Sequence, residues 1–200
     1  MKFFITGLHA SGKQEVIDHL TELGVKCGKN FTNLETPSDN IYNSKNMEYY
    51  SVEDINNVFE NDAYIFIQEL QTPSMSFNAY RCYEGLSAYT FDQNDVFVLS
   101  PDQLLAIGPN AINEEVCFIR MDNTKDNRSG RYYNEHRTYN YNERDAYEKR
   151  DLGAYVKSLY AFNNSHVIYF NDELPSRVAT IVYTLIKHPD MMDLYVKNFD

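Results

Sequence analysis

The stretch Lys2-Phe-Phe-Ile-Thr6-Gly7-Leu-His-Ala-Ser-Gly12-Lys13-Gln14 decides how the rest of the chain is read. Residues 2–6 read as a short apolar strand and residues 7–12 as a glycine-bounded turn. Residues 14–23 then read as a helix, with Val16, Ile17, Leu20 and Leu23 on one face and Gly24 closing it. Strand, tight turn and helix in that order are the context in which G-x-x-x-x-G-K is a phosphate-binding loop. Backbone N–H groups of such a turn point at phosphate oxygens, and the positive end of the helix reinforces them. Gly7, His9, Ala10, Ser11, Gly12, Lys13 and Gln14 are therefore the expected nucleotide-binding residues. Lys13 is the expected catalytic cation, following charge that migrates during transfer, whereas His9 only borders the nucleotide. One position departs from the pattern. The Ser/Thr that would place a hydroxyl on Mg²⁺ after the lysine is Gln14, whose amide oxygen is a poorer ligand for so compact a cation.

Outward from this loop, strand and helix patterns alternate. Residues 95–100, 116–120 and 166–170 are short apolar runs bounded by turn residues, as buried parallel strands are. Residues 64–68 are a further strand candidate, and 31–46 and 71–78 read as loops. Ser51 with Asp54 opens a short helix expected to turn Ile55, Val58 and Phe59 inward. Helical spacing runs through 146–162, and Pro175 suits the first turn of a last helix through Val178, Ile181, Val182 and Leu185. The expectation is an α/β fold of three layers, a central parallel sheet with helices on both faces. It is read as one domain over 1–200 with excursions at 31–92 and 121–150.

Charge narrows the partners. The chain carries a net charge of −11, yet 120–150 holds eight Lys/Arg, six of them Arg, against six Asp/Glu. A small cationic segment in an acidic molecule suits a compact polyanion such as a triphosphate, and duplex nucleic acid is not an expected partner. No apolar run approaches the ~20 residues of a membrane span, and no signal peptide is apparent. Three cysteines without metal-ligand spacing read as reduced thiols, so the expected compartment is the cytoplasm.

Further segments extend the pattern. Tyr49-Tyr50-Ser51-Val52-Glu53-Asp54 precedes a short helix and then Glu69, and Tyr83-Glu84-Gly85-Leu86-Ser87 lies beyond them. The run 95–102 ends in Asp102, 121–150 carries Arg128, Arg131, Arg137 and Arg144, and His166-Val-Ile-Tyr-Phe-Asn171-Asp172-Glu-Leu174 closes the order. In that sequence these segments resemble the guanylate kinase family, and more loosely nucleoside monophosphate kinases in general. The resemblance implies an acceptor-binding excursion, with Tyr50, Glu69, Tyr83, Ser87 and Asp102 beside the acceptor and 83–87 forming a turn. It also implies an arginine-bearing lid over ATP and Mg²⁺, with Asn171 beside the adenine. The family's acceptor-phosphate arginines are missing: the chain has none before Arg81, and the matching stretch reads Asn30-Phe-Thr-Asn-Leu-Glu-Thr-Pro37. Arg81 is thus the one guanidinium the excursion offers the acceptor. The favoured reading is transfer from ATP to a nucleoside monophosphate. A kinase acting on a nucleoside or base hydroxyl, including one in DNA, and a nucleotide- or protein-binding module without efficient catalysis stay open beside it.

Overall fold

The computed structural model describes residues 1–33, 47–69, 82–108, 110–134, 141–162 and 164–196, with backbone alone at 132–134, 141, 143, 144, 147 and 148. The chain begins with β1 (Lys2–Thr6) and α1 (Lys13–Glu22), then β2 (Asn30–Thr32), β3 (Met47–Tyr49) and α2 (Val52–Glu60). Next come β4 (Tyr64–Glu69), β5 (Tyr83–Ser87), α3 (Ala88–Gln93), β6 (Val96–Leu99) and α4 (Pro101–Ala106). The second half holds β7 (Val116–Asp122), α5 (Lys125–Asn134), α6 (Tyr141–Arg150), α7 (Leu152–Ser158), β8 (Ser165–Asn171) and α8 (Pro175–Lys187). A 3₁₀ turn, Pro189–Leu194, follows.

The central sheet has the order β6-β1-β7-β8 and is parallel throughout. Its strands are apolar on both faces because both faces are covered. On one face Phe3, Ile5, Cys117, Ile119 and Ile168 pack against Val16 and Leu20 of α1 and Val178 and Val182 of α8. On the other, Phe4, Phe97, Phe118 and Val167 meet Leu104 of α4 and Tyr155 and Leu159 of α7. Phe66 and Leu86 bring a second sheet onto that same face. This is a three-layer α/β fold, a parallel sheet with helices on both faces.

The second sheet has the order β3-β2-β5-β4, with β2 parallel to β3 and antiparallel to β5, and β4 antiparallel to β5. Gly85 permits it, since a Cβ there would lie 2.5 Å from both the Phe31 ring and the Phe66 carbonyl. The helix signals hold where capping is local. Ser51 and Asp54 form a reciprocal capping box, and Gly24 at φ +79° ends α1. There the Val25 N–H donates to Leu20 O and the Gly24 N–H to Thr21 O, which satisfies two end carbonyls.

Five local expectations are corrected. Phe59 is exposed, its ring meeting Tyr64 and Tyr83 edge-on beside the small sheet instead of entering a core. Residues 83–87 are a strand, not a turn, because β2 and β4 flank them with backbone partners on both sides. The helical stretch at 146–162 breaks at Asp151 (φ −107°, ψ 18°). The break lets α6 pair Asp145 with α5 while α7 buries Tyr155 against the sheet. Asp102 does not end a strand: Ser100 caps α4, and Asp102 sits in its first turn. Of the expected loop 31–46, Phe31 and Thr32 belong instead to β2, while 34–46, like 71–78, lie outside the described residues. Among the described residues no helix is long and apolar enough to cross a membrane.

Candidate functional site

The loop between β1 and α1 has the backbone its glycines imply. Gly7 lies at φ +148°, Ala10 at +54° and Gly12 at +92°, so the chain passes repeatedly through conformations that turn N–H groups inward. Gly7 is further required by space, since a Cβ would stand 2.2 Å from the Met121 carbonyl oxygen of β7. The helices α2, α3 and α4 close their first turns with the hydroxyls of Ser51, Ser87 and Ser100. Helix α1, like α7 and α8, has no side-chain cap, so its leading N–H groups are not satisfied by a capping side chain. The Lys13 ammonium donates to the carbonyls of Gly7 (2.7 Å) and Leu8 (2.8 Å), which holds it across the loop.

Three oxygens around the loop are buried and have no hydrogen-bond partner among the described residues: Thr6 Oγ1, Ser11 Oγ and Gln14 Oε1. Unpaired buried hydroxyls are costly, about 1–3 kcal/mol each, and two of them beside uncapped N–H groups form a donor set for phosphate oxygens. Gln14 is fixed by its amide N–H, which donates to Asp18 Oδ1 at 2.8 Å. The remaining oxygen, Gln14 Oε1, fits Mg²⁺ as one neutral ligand in a shell completed by phosphate oxygens and water, an arrangement that cation commonly keeps. Among the described residues no group of three or more His, Cys, Asp or Glu could hold a metal by itself.

Arg131 reaches this loop from α5. Its guanidinium lies 3.8 Å from Glu15 of α1, and a Cβ on Gly12 would come within 2.4 Å of Arg131 Nη1 and 2.9 Å of Pro175 Cγ. Arg128, on the same helix, is turned inward instead. It is 2% exposed, donates from Nε to Asn123 O and pairs through Nη1 with Asp145 of α6 at 2.6 Å. Lys149 meets the same carboxylate at 2.9 Å. Burial works against the charge of Asp145, but the Lys149 and Arg128 hydrogen bonds hold its carboxyl below the ordinary range. Arg144 lies on α6 with its side chain outside the described residues, and Arg137 and Arg81 lie outside them altogether.

The acceptor residues expected from sequence divide in two. Tyr50, Glu69 and Tyr83 share one end of the small sheet. Tyr50 stacks on Phe31 (4.7 Å between centroids, 13° between planes), and Glu69 stands opposite Tyr83 in the β4–β5 register. The backbone there is knitted together by Tyr50 N–H to Thr32 O and by Tyr83 N–H to Asn33 Oδ1. Ser87 stands at the far end of β5, where its hydroxyl caps α3 by accepting from the Thr90 N–H. Its oxygen serves that helix and not the cluster near Tyr50. Glu84, which sequence reading passed over, is 3% exposed on β5 and accepts from Gln68 Nε2. Only pairing across β4 and β5 reveals it, because a charged residue in an alternating strand looks solvent-facing.

Asn171 ends β8 opposite Asp122 of β7, and Asp172 follows at φ +53°. Asp172 Oδ1 accepts from the Thr124 N–H and from Asn127 Nδ2, both at 2.8 Å, and so fastens the first turn of α5 to the end of β8. The Thr124 and Asn127 hydrogen bonds lower the Asp172 carboxyl below its ordinary value. A depressed carboxylate stabilises above its unfolded pKa, and that contribution disappears as pH falls through the folded value. The Thr124 amide resonance should therefore titrate with a midpoint below that of an ordinary aspartate. In Asp172→Asn that titration should vanish. A midpoint at or above the ordinary value would mean that Asp172 does not fasten α5.

Burial raises all three thiols, Cys117 up to about 12, so none of them is a ready nucleophile. No family model matches the chain, and no curated protein matches it. Among solved structures it is similar to guanylate kinase from Anaplasma phagocytophilum, at 11% identity and a TM-score of 0.49, covering 96% of this chain and 86% of that one. It is also similar to a sugar kinase from Janibacter sp., at 12% identity and a TM-score of 0.43, covering 96% of this chain and 97% of that one.

Proposed function

We propose that the chain transfers the γ-phosphoryl group of ATP to a nucleoside monophosphate. The observation that carries this reading is the donor set around 7–14: an uncapped α1, the orphaned hydroxyls of Thr6 and Ser11, and Lys13 held across the loop with Arg131 above. Ammonium, guanidinium and hydroxyl donors around one glycine-bounded loop suit a polyphosphate. An oxygen of the acceptor's phosphate attacks the γ-phosphorus, the bond to the β–γ bridging oxygen breaks, and ADP leaves with that electron pair. The attacking phosphate is already an anion, so no general base is needed, and rate comes from positioning and charge stabilisation.

Lys13 would follow the charge onto the leaving oxygen, and Arg131 would hold the outer phosphates while α5 and α6 cover the site from water. Arg128 would act on the lid, keeping α5 and α6 together through Asp145, and reach phosphate only if that pair rearranges. Mg²⁺, when bound, supplies neutralisation of the phosphate oxygens, with Gln14 Oε1 its protein ligand. Tyr50, Tyr83 and Glu69 offer the acceptor a stacking ring, hydroxyl donors and a carboxylate at one end of the small sheet.

A second reading is nucleotide binding without turnover. Gln14 favours it, because its amide is committed to Asp18 where the loop pattern expects a hydroxyl. The test is a screen of ribo- and deoxynucleoside monophosphates and of nucleosides as acceptors, with ATP, Mg²⁺ and ADP detection. At least one monophosphate should release ADP at a rate well above the acceptor-free background. ATP binding with no ADP from any acceptor would replace the kinase reading with the second. ADP released only with nucleosides would move the acceptor to a hydroxyl.

A further inference from the structure

Arg131 of α5 rests on Gly12, at the point where the loop enters α1. A Cβ on Gly12 would meet Arg131 Nη1 at 2.4 Å, Pro175 Cγ at 2.9 Å and Glu15 Oε2 at 3.0 Å. Three segments distant in sequence therefore converge on one missing methyl group: helix α5, the first turn of α1 and the start of α8. Arg131 Nη1 is buried and makes no hydrogen bond among the described residues. Glu15 Oε2 stands 3.8 Å from it, beyond hydrogen-bond length.

That distance is the informative feature. A carboxylate at 3.8 Å attracts the guanidinium but takes none of its N–H donors. Arg128, three residues earlier on the same helix, is used differently, with Nη1 2.6 Å from Asp145 inside the lid. The other carboxylate that Arg131 reaches by charge is Asp172, which its field helps to keep ionised. Asp172 Oδ1 already accepts from the Thr124 N–H and from Asn127 Nδ2. Arg131 is drawn toward two anions, one on α1 and one after β8, and neither claims its Nη1.

Taken alone, Glu15 is out of place beside a polyphosphate. It follows Lys13 by two residues in the first turn of α1, where its charge would repel the anion that the loop attracts. An acidic residue in a first turn favours the helix dipole, but that benefit does not require it to face a guanidinium. A charge that aims a donor without consuming it accounts for the whole arrangement. The repulsion is then outweighed by an arginine delivered to the loop with its N–H groups unspent.

We propose that Glu15 is a positioning residue for Arg131. Its carboxylate aims Nη1 at the loop, and a phosphate oxygen of the donor nucleotide takes the N–H groups that Glu15 leaves unclaimed, in a charge-assisted hydrogen bond. The proposal rests on the reading above that residues 7–14 hold the phosphates of ATP. Glu15 acts only through Arg131, and the bare Cα of Gly12 is what lets the guanidinium come so close to the loop.

The experiment is a double-mutant cycle on the full chain. Affinity for a non-hydrolysable ATP analogue is measured in wild type, Glu15→Gln, Arg131→Ala and the double variant, with ADP release from ATP measured alongside. Glu15 is exposed and glutamine has nearly its shape, so the fold should persist, which thermal melting checks. With Arg131 present, Glu15→Gln should weaken the analogue about threefold, the scale of a partly exposed ion pair. In the Arg131→Ala background the same change should leave affinity unchanged or tighten it, because only the repulsion is then removed. Any effect of Glu15 on helix α1 itself is present in both backgrounds and cancels in the cycle. Glu15→Asp, which keeps the charge, should lie closer to wild type than Glu15→Gln does. Equal weakening in both backgrounds overturns the proposal. So does a Glu15→Gln protein that binds the analogue more tightly with Arg131 in place, which would make Glu15 a repulsive neighbour and no more. The expected cycle with no ADP released to any acceptor would keep the positioning role and remove the kinase reading. Turnover with no coupling between Glu15 and Arg131 would do the reverse.

Discussion

Replacing Lys13 with alanine should slow phosphoryl transfer by about 10²- to 10³-fold, the range found when one preorganised donor to a developing charge is removed. In the structure the ammonium spans the Gly7 and Leu8 carbonyls, on the loop that the proposed function assigns to the β- and γ-phosphates. With nucleotide bound, those contacts would be exchanged for phosphate oxygens while the loop N–H groups hold the rest. The expected signature is a large fall in kcat with a smaller rise in KM for ATP, since charge on the leaving oxygen grows only in the transition state. Steady-state ADP release across ATP concentrations reads both. A Lys13→Ala protein with unchanged turnover would sink the assignment of this loop to catalysis.

Gly7→Ala should be strongly destabilising. The added Cβ would stand 2.2 Å from Met121 O, a backbone atom in the middle of the central sheet, and 3.1 Å from Ser11 Oγ. Neither β1 nor β7 can move aside, because their register is fixed from Lys2–Val116 through Thr6–Arg120. The residue also lies at φ +148°, which an L side chain resists. Overpacking of this kind costs ~3 kcal/mol, the upper end of its usual range. For a chain this long that is a fall of about 10 °C in Tm, together with loss of ATP binding. Calorimetry of the variant measures the first and titration with ATP the second. A Gly7→Ala protein melting within about 2 °C of wild type would mean that the loop is not built as described. Gly24→Ala is a useful contrast, since nothing lies within 4 Å of a Cβ there and only the φ of +79° opposes it.

The readable parts of the chain were those whose physics is local. Buried parallel strands show as unbroken apolar runs, so β1, β6, β7 and β8 were visible at once. Capping is a matter of three or four residues, and Ser51 with Asp54, Gly24 and Pro175 did what their types and positions imply. The loop at 7–14 was fixed by glycines whose φ values only glycine takes easily. The small sheet was largely hidden. Its strands β2 and β3 are three residues each, too short for alternation to show, and at β5 the family resemblance implies a turn around Gly85. That glycine instead makes room for the Phe31 ring.

What the sequence by itself determined is therefore a glycine-bounded loop between a strand and a helix, a parallel sheet around it, and a cationic segment at 120–150. Tertiary structure decided how the charges are used. Arg128 and Arg131 are three residues apart on one helix, so sequence treats them alike. Packing gives Arg131 to the loop and binds Arg128 to Asp145. Ser87 is held at the far end of β5 by the helix it caps, and Asp102 occupies the first turn of α4. Asp122, Lys125 and Lys149 gather around one cavity although they come from a strand and two separate helices. Backbone preference acts over a few neighbouring residues and is written in their identities. The meeting of side chains from distant segments depends on which faces the core buries, and that is settled only when the sheets and helices pack.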